Sequence, residues 1–431
     1  LRFREPHRDD GTLRARLATH DPYAALRVKD FLWLIVSYAT STVAREAQIV
    51  VVGWQVFQIT RDPLALGMIG LAEALPFIAV ALYAGHLADR LPRRPIAIAG
   101  TFAMLLSAIA LLLFTTSGMI GHGRVWPIYL VIFLSGIARS FIRPAFTALS
   151  AEVVTRDLFA NAVAWRSSTW QFAAVLGPAI GGLVYGFAGA PAAYSVVIVM
   201  MSFSLGALWL IAHDDRPQQR DEMPIGESLR IGIRFILGQK ILLSAMTLDL
   251  FSVLFGGAVA LLPIFAHLLG AGPQGLGVLR AAPAAGSLVT GIIVAHRPPM
   301  RRTGTALFSA VAIFGLTIIA FALTRNFWIS LALLTIGGMA DNVSVIIRGT
   351  LLQTLTPQHL LGRVSSVNQI FIGSSNEIGA FESGLAARIL GTVPSVIFGG
   401  VMTLLVVAVT MAWSPQLRKM REIEMLSESS T

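Results

Sequence analysis

Between residues 31 and 413 the chain runs through twelve apolar stretches, at 31–59, 64–86, 95–117, 126–146, 160–188, 191–211, 240–267, 273–295, 303–323, 327–349, 363–390 and 394–413. A hydrocarbon core about 30 Å thick is crossed by about 20 residues of helix. Within such a core the backbone must satisfy its own hydrogen bonds, and runs of this length do so as helices. The expected fold class is therefore an all-α polytopic membrane protein, with twelve transmembrane helices in two pseudo-symmetric six-helix bundles. The residue balance agrees, with 55% hydrophobic and 13% charged residues and a mean hydropathy of +0.72. A formal net charge of +10 would suit a nucleic-acid partner in a soluble chain. Here the basic residues are scattered through short breaks, which fits membrane orientation and no nucleic acid. With no cysteine, disulfides and cysteine-based metal sites are excluded.

Lys and Arg cluster on one side of the expected bilayer. The amino end carries Arg2, Arg4, Arg8, Arg14, Arg16, Arg27 and Lys29, and the even-numbered breaks add Arg90, Arg93, Arg94, Arg156, Arg216, Arg220, Arg297, Arg301, Arg302 and Arg363; the opposite breaks hold Arg61, Arg124 and Arg325. Both termini are expected to be cytoplasmic. Residues 1–28 are polar and Arg-rich and read as a cytoplasmic tail rather than a signal peptide. Residues 29–211 and 240–413 form the two expected bundles, and 414–431 a second tail. Between the bundles, 212–239 opens as a solvated linker. It then becomes amphipathic, with Ile225, Leu229, Ile233 and Ile236 opposite Glu227, Arg230 and Arg234; a helix lying on the inner leaflet is expected.

The halves look like copies. Leu66-Gly67-Met68-Ile69-Gly70-Leu71-Ala72 aligns with Leu276-Gly277-Val278-Leu279-Arg280-Ala281-Ala282, the weak internal symmetry of two bundles enclosing a cavity. The break after the second run reads Gly85-His86-Leu87-Ala88-Asp89-Arg90-Leu91-Pro92-Arg93-Arg94-Pro95. Its Gly, Leu-x-Asp-Arg and paired arginines resemble the helix 2–3 loop of the major facilitator superfamily of secondary transporters. The resemblance implies a gate in which Gly85, Asp89, Arg90, Arg93 and Arg94 dock against the start of helix 11 at Arg363 when the cytoplasmic side is closed.

Gly177-Pro178-Ala179-Ile180-Gly181-Gly182 resembles the core of a motif associated with antiporters and exporters of that superfamily, although Ala173 stands where a glycine is expected. Physically, Gly177, Gly181 and Gly182 allow close helix contact and Pro178 frees a carbonyl. Residues 374–384, with Val52-Gly53-Trp54-Gln55-Val56, resemble the bacterial exporter branch that includes enterobactin exporters and related drug-efflux proteins.

A charge near the bilayer centre costs at least ~2.5 to 3.5 kcal/mol, so each needs a partner or a wet cavity. Arg45 and Glu46 lie midway along the first run, Glu73 midway along the second, Arg139 and Arg143 in the fourth and Arg166 early in the fifth. Asp249, Asp341, Glu377 and Glu382 fall in the second half. Arg45 and Glu46 are about 100° apart around a helix and are expected to face different neighbours. Glu73, flanked by Ala72, Ala74, Leu75 and Pro76, admits two readings: a carboxylate set in apolar surroundings for proton exchange, or a buried pair, for example with Arg45, that only fixes packing. Asn368, Gln369, Ser374, Ser375 and Asn376 make the eleventh run unusually polar, as a cavity-lining face requires. Trp33, Trp54, Phe57, Trp165, Trp170, Phe251 and Phe371 divide between packing, interfacial anchoring and stacking on a substrate.

The function expected from the resemblance is proton-coupled export of an amphipathic small molecule, a drug or siderophore-like metabolite, by a monomer in the bacterial inner membrane, in contact with lipid and without a cofactor or metal. A lipid or lysolipid flippase is the alternative transport activity. A membrane-embedded enzyme is disfavoured because the chain has no His-Glu-x-x-His, no Gly-x-Ser-x-Gly and no Walker-type loop.

Overall fold

Every long apolar run becomes helix, as a backbone without water must. The structure, a computed structural model, describes residues 21–121, 123–212, 225–296 and 302–420; within them the side chains of residues 81–90 and 225 are not described. Most of the amino-terminal tail, the first part of the linker, the turn holding Arg297 and Arg301, and residues 421–431 thus lie outside the described residues. The first half comprises α1 (Lys29–Thr60), α2 (Pro63–Arg90), α3 (Arg93–Thr116), α4 (Trp126–Glu152) and α5 (Phe159–Trp209). The second comprises α6 (Ile225–Gly238), α7 (Lys240–Phe255), α8 (Leu262–Leu268), α9 (Gly272–Ala295), α10 (Thr303–Leu323), α11 (Phe327–Leu355), α12 (Gln358–Leu390), α13 (Thr392–Trp413) and α14 (Pro415–Lys419).

Nine stretches among the described residues are long and apolar enough to cross a membrane. One of them contains α5, whose 51 residues would stretch about 75 Å if straight. It breaks instead at Gly189, where φ is +78°, a conformation glycine adopts without strain. The expected boundary between the runs 160–188 and 191–211 falls at this break. The run expected at 240–267 is interrupted as well, by a short 3-10 turn at Ala258–Leu261 that joins α7 to α8. α1 and α12 are long but too polar for the nine, because they carry the charges described below.

Helix packing divides the chain into two groups. α1 packs on α5, and α4 packs on α2 and α3; in the second half α11 packs on α9 and α10, and α13 on α7 and α10. Two seams join the groups, α2 against α12 and α5 against α9. Both are made by glycines. A Cβ on Gly67 would lie 3.0 Å from the Gly384 Cα, and one on Gly182 would lie 2.8 Å from the Gly277 Cα. Gly67 and Gly277 are the matching positions of the sequence repeat, so the two seams are related by the internal symmetry.

The apolar cores reveal which way the molecule is open. At the end away from the termini, one cluster includes Trp54, Leu66 and Ile128 of the first group together with Leu262, Leu276 and Phe321 of the second. At the terminal end, Phe31, Phe146 and Leu208 pack only within the first group, and Leu248, Phe308 and Leu351 only within the second. Among the described residues the halves therefore share a core at the distal end and part toward the terminal end. α6 lies at the open end, where Ile236 packs with Leu242, Leu352 and Val364. Ile233, on the same apolar side of the helix, is exposed.

Candidate functional site

Where the α2–α12 seam passes the middle of the helices, three charges meet. Arg139 of α4 binds Glu73 of α2 through Nη1, and the same nitrogen donates to Glu377 Oε1 of α12 at 3.1 Å. Arg139 and Glu73 belong to one half and Glu377 to the other, so the guanidinium bridges the two bodies. Two Gly-x-x-charge spacings bring the groups together. Gly136, one turn before Arg139, lets α4 touch α2: a Cβ there would be 3.0 Å from the Glu73 carbonyl oxygen. Gly70, one turn before Glu73, does the same for α12, with the Glu377 carbonyl oxygen 2.8 Å from its would-be Cβ. The guanidinium also stands over the Phe77 ring, 5.6 Å from its centroid, a favourable place for a cation. Each member of the triad retains about a fifth of its side-chain exposure, and Arg139 and Glu73 border a cavity.

Glu73 therefore pairs with Arg139, not with Arg45 as one sequence reading had it. Arg45 faces the pocket of α1–α4 and Glu46 packs toward Gly177 of α5, different neighbours as expected, yet Arg45 Nη2 also donates to Glu46 Oε1 at 2.9 Å. Their Cβ atoms diverge as the helix demands, but the long arginine side chain curls back to its neighbour. Arg280 of α9 completes the group, with Glu46, Glu73 and Glu377 in its electrostatic environment. Sequence reading missed Arg280 as an intramembrane charge, although its place inside the apolar run 273–295 is the signal for one. Beside these charges, Arg45, Gln48, Glu73, Ser135 and Arg139 line an open pocket walled by Ile49, Val52, Ile69, Met104 and Ile132.

A second cluster lies wholly within the other half. Arg348 of α11 binds Asp249 of α7 through Nη1, and its Nε donates to Ser344 Oγ at 3.2 Å. Asp341, two turns earlier on α11, faces the same small cavity as Asp249, Ser252 and Phe314. Sequence reading found both aspartates but missed Arg348, which stood at the edge of the run 327–349. The helix continues to Leu355, so Arg348 lies well inside it.

The sequence profile of the transmembrane secretion effector family, one of the major facilitator (MFS) families, matches residues 20–430. The chain belongs to that family. Similar proteins include the enterobactin exporters EntS of Shigella flexneri, 25% identical over 414 residues with 94% of this chain and 95% of the relative covered, and of Escherichia coli O127:H6, 25% identical over 415 residues with the same coverage. Among solved structures, a mutant peptide transporter POT in complex with alafosfalin superposes with a TM-score of 0.72 at 12% identity, covering 94% of this chain and all of that one. A POT family transporter in complex with 5-aminolevulinic acid gives 0.69 at 11% identity, covering 90% and 96%. The secretion effector is thus a helical, multi-pass membrane transporter.

The remaining expected residues of this secretion effector are dispersed. Arg166 donates to Thr147 Oγ1 at 2.6 Å and stays out of the central group. Asn368 and Glu382 are half-buried on α12 and line neither pocket. The side chains of Gly85, Asp89 and Arg90 fall outside those described. Among the described contacts, Arg93 Nη1 binds Glu152 Oε1 at 3.0 Å, and Arg94 donates to the Leu208 and Trp209 carbonyls; the gate was expected for the state closed at the terminal end, where the halves here part. At the start of α12 the Arg363 carbonyl oxygen would be 3.0 Å from a Cβ on Gly232 of α6. Gly177 and Gly181 seat α5 on Val43, Glu46 and Ala47 of α1, while Gly182, with Pro178 one turn away, faces α9. Sequence reading missed the distal contacts between halves, where Asp62 binds Arg388 at 2.9 Å and Arg61 lies 3.0 Å from His267 Nε2.

Proposed function

We propose that this secretion effector exports a small siderophore-like organic molecule from the cytoplasm, driven by inward proton flow, as its two halves rock about the Glu73–Arg139–Glu377 bridge. It acts as a monomer in the bacterial inner membrane, among its lipids, with both termini cytoplasmic. Dividing the long α5 at Gly189, and counting α1 and α12 as crossings, brings the nine apolar stretches to twelve. The bundles then correspond to residues 29–211 and 240–413, joined through 212–239. The terminal end, where the halves part, is the cytoplasmic mouth through which substrate enters.

One observation carries the reading: a single guanidinium holds carboxylates from both moving bodies. A proton taken by Glu377 cancels its attraction for Arg139, so the bridge between halves weakens while the Glu73–Arg139 pair survives within its own half. Protonation is thereby converted into a change in how firmly the halves hold each other. Substrate in the pocket beside Arg139 and Glu73 acts on the same bridge from the other side. The names of the EntS relatives support a siderophore-like cargo.

The test is proton movement in proteoliposomes with an acidic lumen containing a pH dye. Catecholate compounds and amphipathic drugs are added outside. Compound-dependent alkalinisation of the lumen that is strongly reduced in Glu377→Gln is expected. If no compound moves protons and fluorescent lysolipid crosses faster than in empty vesicles, a flippase replaces the exporter.

A further inference from the structure

Gln48 is 4% exposed on α1, and its Oε1 has no hydrogen-bond partner. Arg45, one turn earlier on the same face, spends Nη2 on Glu46, and its buried Nε is likewise without a partner. Both residues line the pocket next to the triad. A buried polar atom without a partner is a standing penalty in a folded protein and calls for an explanation. Here an orphan acceptor and an orphan donor belong to residues three apart on one helix that line one pocket. A hydroxyl group complements both, since it can accept from the arginine N–H and donate to the amide oxygen.

The rest of the pocket describes what carries that hydroxyl. Ile49, Val52, Ile69 and Ile132 supply apolar walls, and Met104 a polarizable sulfur suited to the edge of a ring. Arg139 already lies over the Phe77 ring and offers a cationic face to a second planar group. The geometry points to a binding subsite for a hydroxylated aromatic ring of the cargo, with Gln48 and Arg45 Nε as its polar contacts. This assignment rests on the export reading for its biological role, although the pocket binds its ring whether or not transport is coupled to protons.

Every wall of the pocket comes from α1, α2, α3 or α4, so the ring travels with the first half as the molecule changes state. Glu73 and Arg139 belong to the lining. A ring seated there touches the groups that face Glu377, which ties occupancy to the seam between halves. Sequence reading passed over Gln48, since a lone glutamine in an apolar run carries no charge to draw attention.

The probe is 2-naphthol, compared with 2-methoxynaphthalene, titrated by fluorescence into the full chain in nanodiscs with empty nanodiscs subtracted. The methyl ether keeps the ring and loses the donor. The wild-type chain is expected to bind the naphthol about tenfold more tightly than the ether, since the ether leaves the buried amide oxygen unpaired. Gln48→Leu abolishes that preference, whereas Gln48→Glu, which keeps an acceptor, retains it. Ile69→Phe fills the pocket without removing a polar group and should weaken both probes; it serves if Gln48→Leu does not fold. Equal binding of the two probes by the wild-type chain, or a preference unchanged in Gln48→Leu, overturns the subsite and leaves the orphan atoms to water. Failure of the export reading looks different: vesicles move no compound while the naphthol preference persists.

Discussion

The two intramembrane charge clusters are built from similar parts and differ in what they connect. Arg348 holds Asp249 within a single half, whereas Arg139 holds one carboxylate of its own half and one of the other. A bond inside a rigid body is made in every state of the transport cycle and braces that body. A bond between bodies is made or broken as they move, and it can be controlled by whatever reaches it. The distinction turns on which helices the charges sit on, since the two clusters use the same residue chemistry.

The largest expected effect comes from breaking the brace. Removing one partner of a buried pair leaves an uncompensated charge, a loss of about 3–5 kcal/mol. Asp249→Asn should therefore lower the thermal unfolding midpoint of the purified protein sharply, while transport per folded molecule persists. Replacing both partners, Asp249→Leu with Arg348→Met, should restore much of the stability, because packed apolar groups replace such pairs at little cost. If Asp249→Asn instead leaves stability intact and stops transport, the comparison inverts and the second cluster is the coupling site.

At the seam the expectation reverses. Glu377→Gln leaves Arg139 still bound to Glu73, so unfolding changes little, but the protonation-sensitive link between halves is gone. Proton-coupled transport should fall by about 5- to 150-fold, the range of ordinary coupling energies between sites. The pH-dye vesicles provide the readout. A variant that unfolds early but still transports would make Glu377 a brace after all.

A smaller effect is expected at Gly70→Val. Its Cβ would meet the Ala380 Cβ at 2.7 Å and the Glu377 carbonyl oxygen at 2.8 Å, so α2 and α12 must separate. Overpacking of this kind costs about 1–3 kcal/mol, and here it falls on the joint between halves. Faster reaction of a single cysteine at Ala74, which is 1% exposed and lies one turn beyond Gly70 on the same face of α2, measures the separation. An unchanged rate would show that the seam adapts elsewhere.

How much of this was written in the sequence depends on the range of the interaction. Length and apolarity place the helices because each crossing must satisfy its own backbone. The helix that bends at Gly189 was legible from the break between two runs, and Glu73, Arg139 and Glu377 stood out as charges in apolar surroundings. Their meeting was not legible, since it requires α2, α4 and α12 to be neighbours, and no local pattern states that. The Gly70-x-x-Glu73 and Gly136-x-x-Arg139 spacings were present but become meaningful only once those helices touch. The Arg45–Glu46 pair was hidden for the opposite reason: backbone geometry aims the two residues at different neighbours, and the reach of an arginine side chain still joins them.

The distal contacts offer the finest test of the difference between brace and joint. Asp62–Arg388 crosses between halves as the triad does, yet its side chains are 33% and 56% exposed, so water and salt screen it to about 0–1 kcal/mol. As a brace, so weak a pair would hardly register in an unfolding experiment. As part of a joint it acts on an equilibrium between two states of similar energy, where 1 kcal/mol is a factor of about five. Asp62→Asn should therefore leave unfolding unchanged and shift the population toward an open distal end by up to about fivefold, less at high salt. The chain has no native cysteine, so Arg124→Cys and Arg325→Cys place one label on each half near the distal end without further substitutions. A longer distance between the labels in Asp62→Asn, approached by the wild type as salt is added, marks the pair as part of the joint. An unchanged distance distribution assigns the closing of that end to the shared apolar core around Trp54, Leu262 and Phe321.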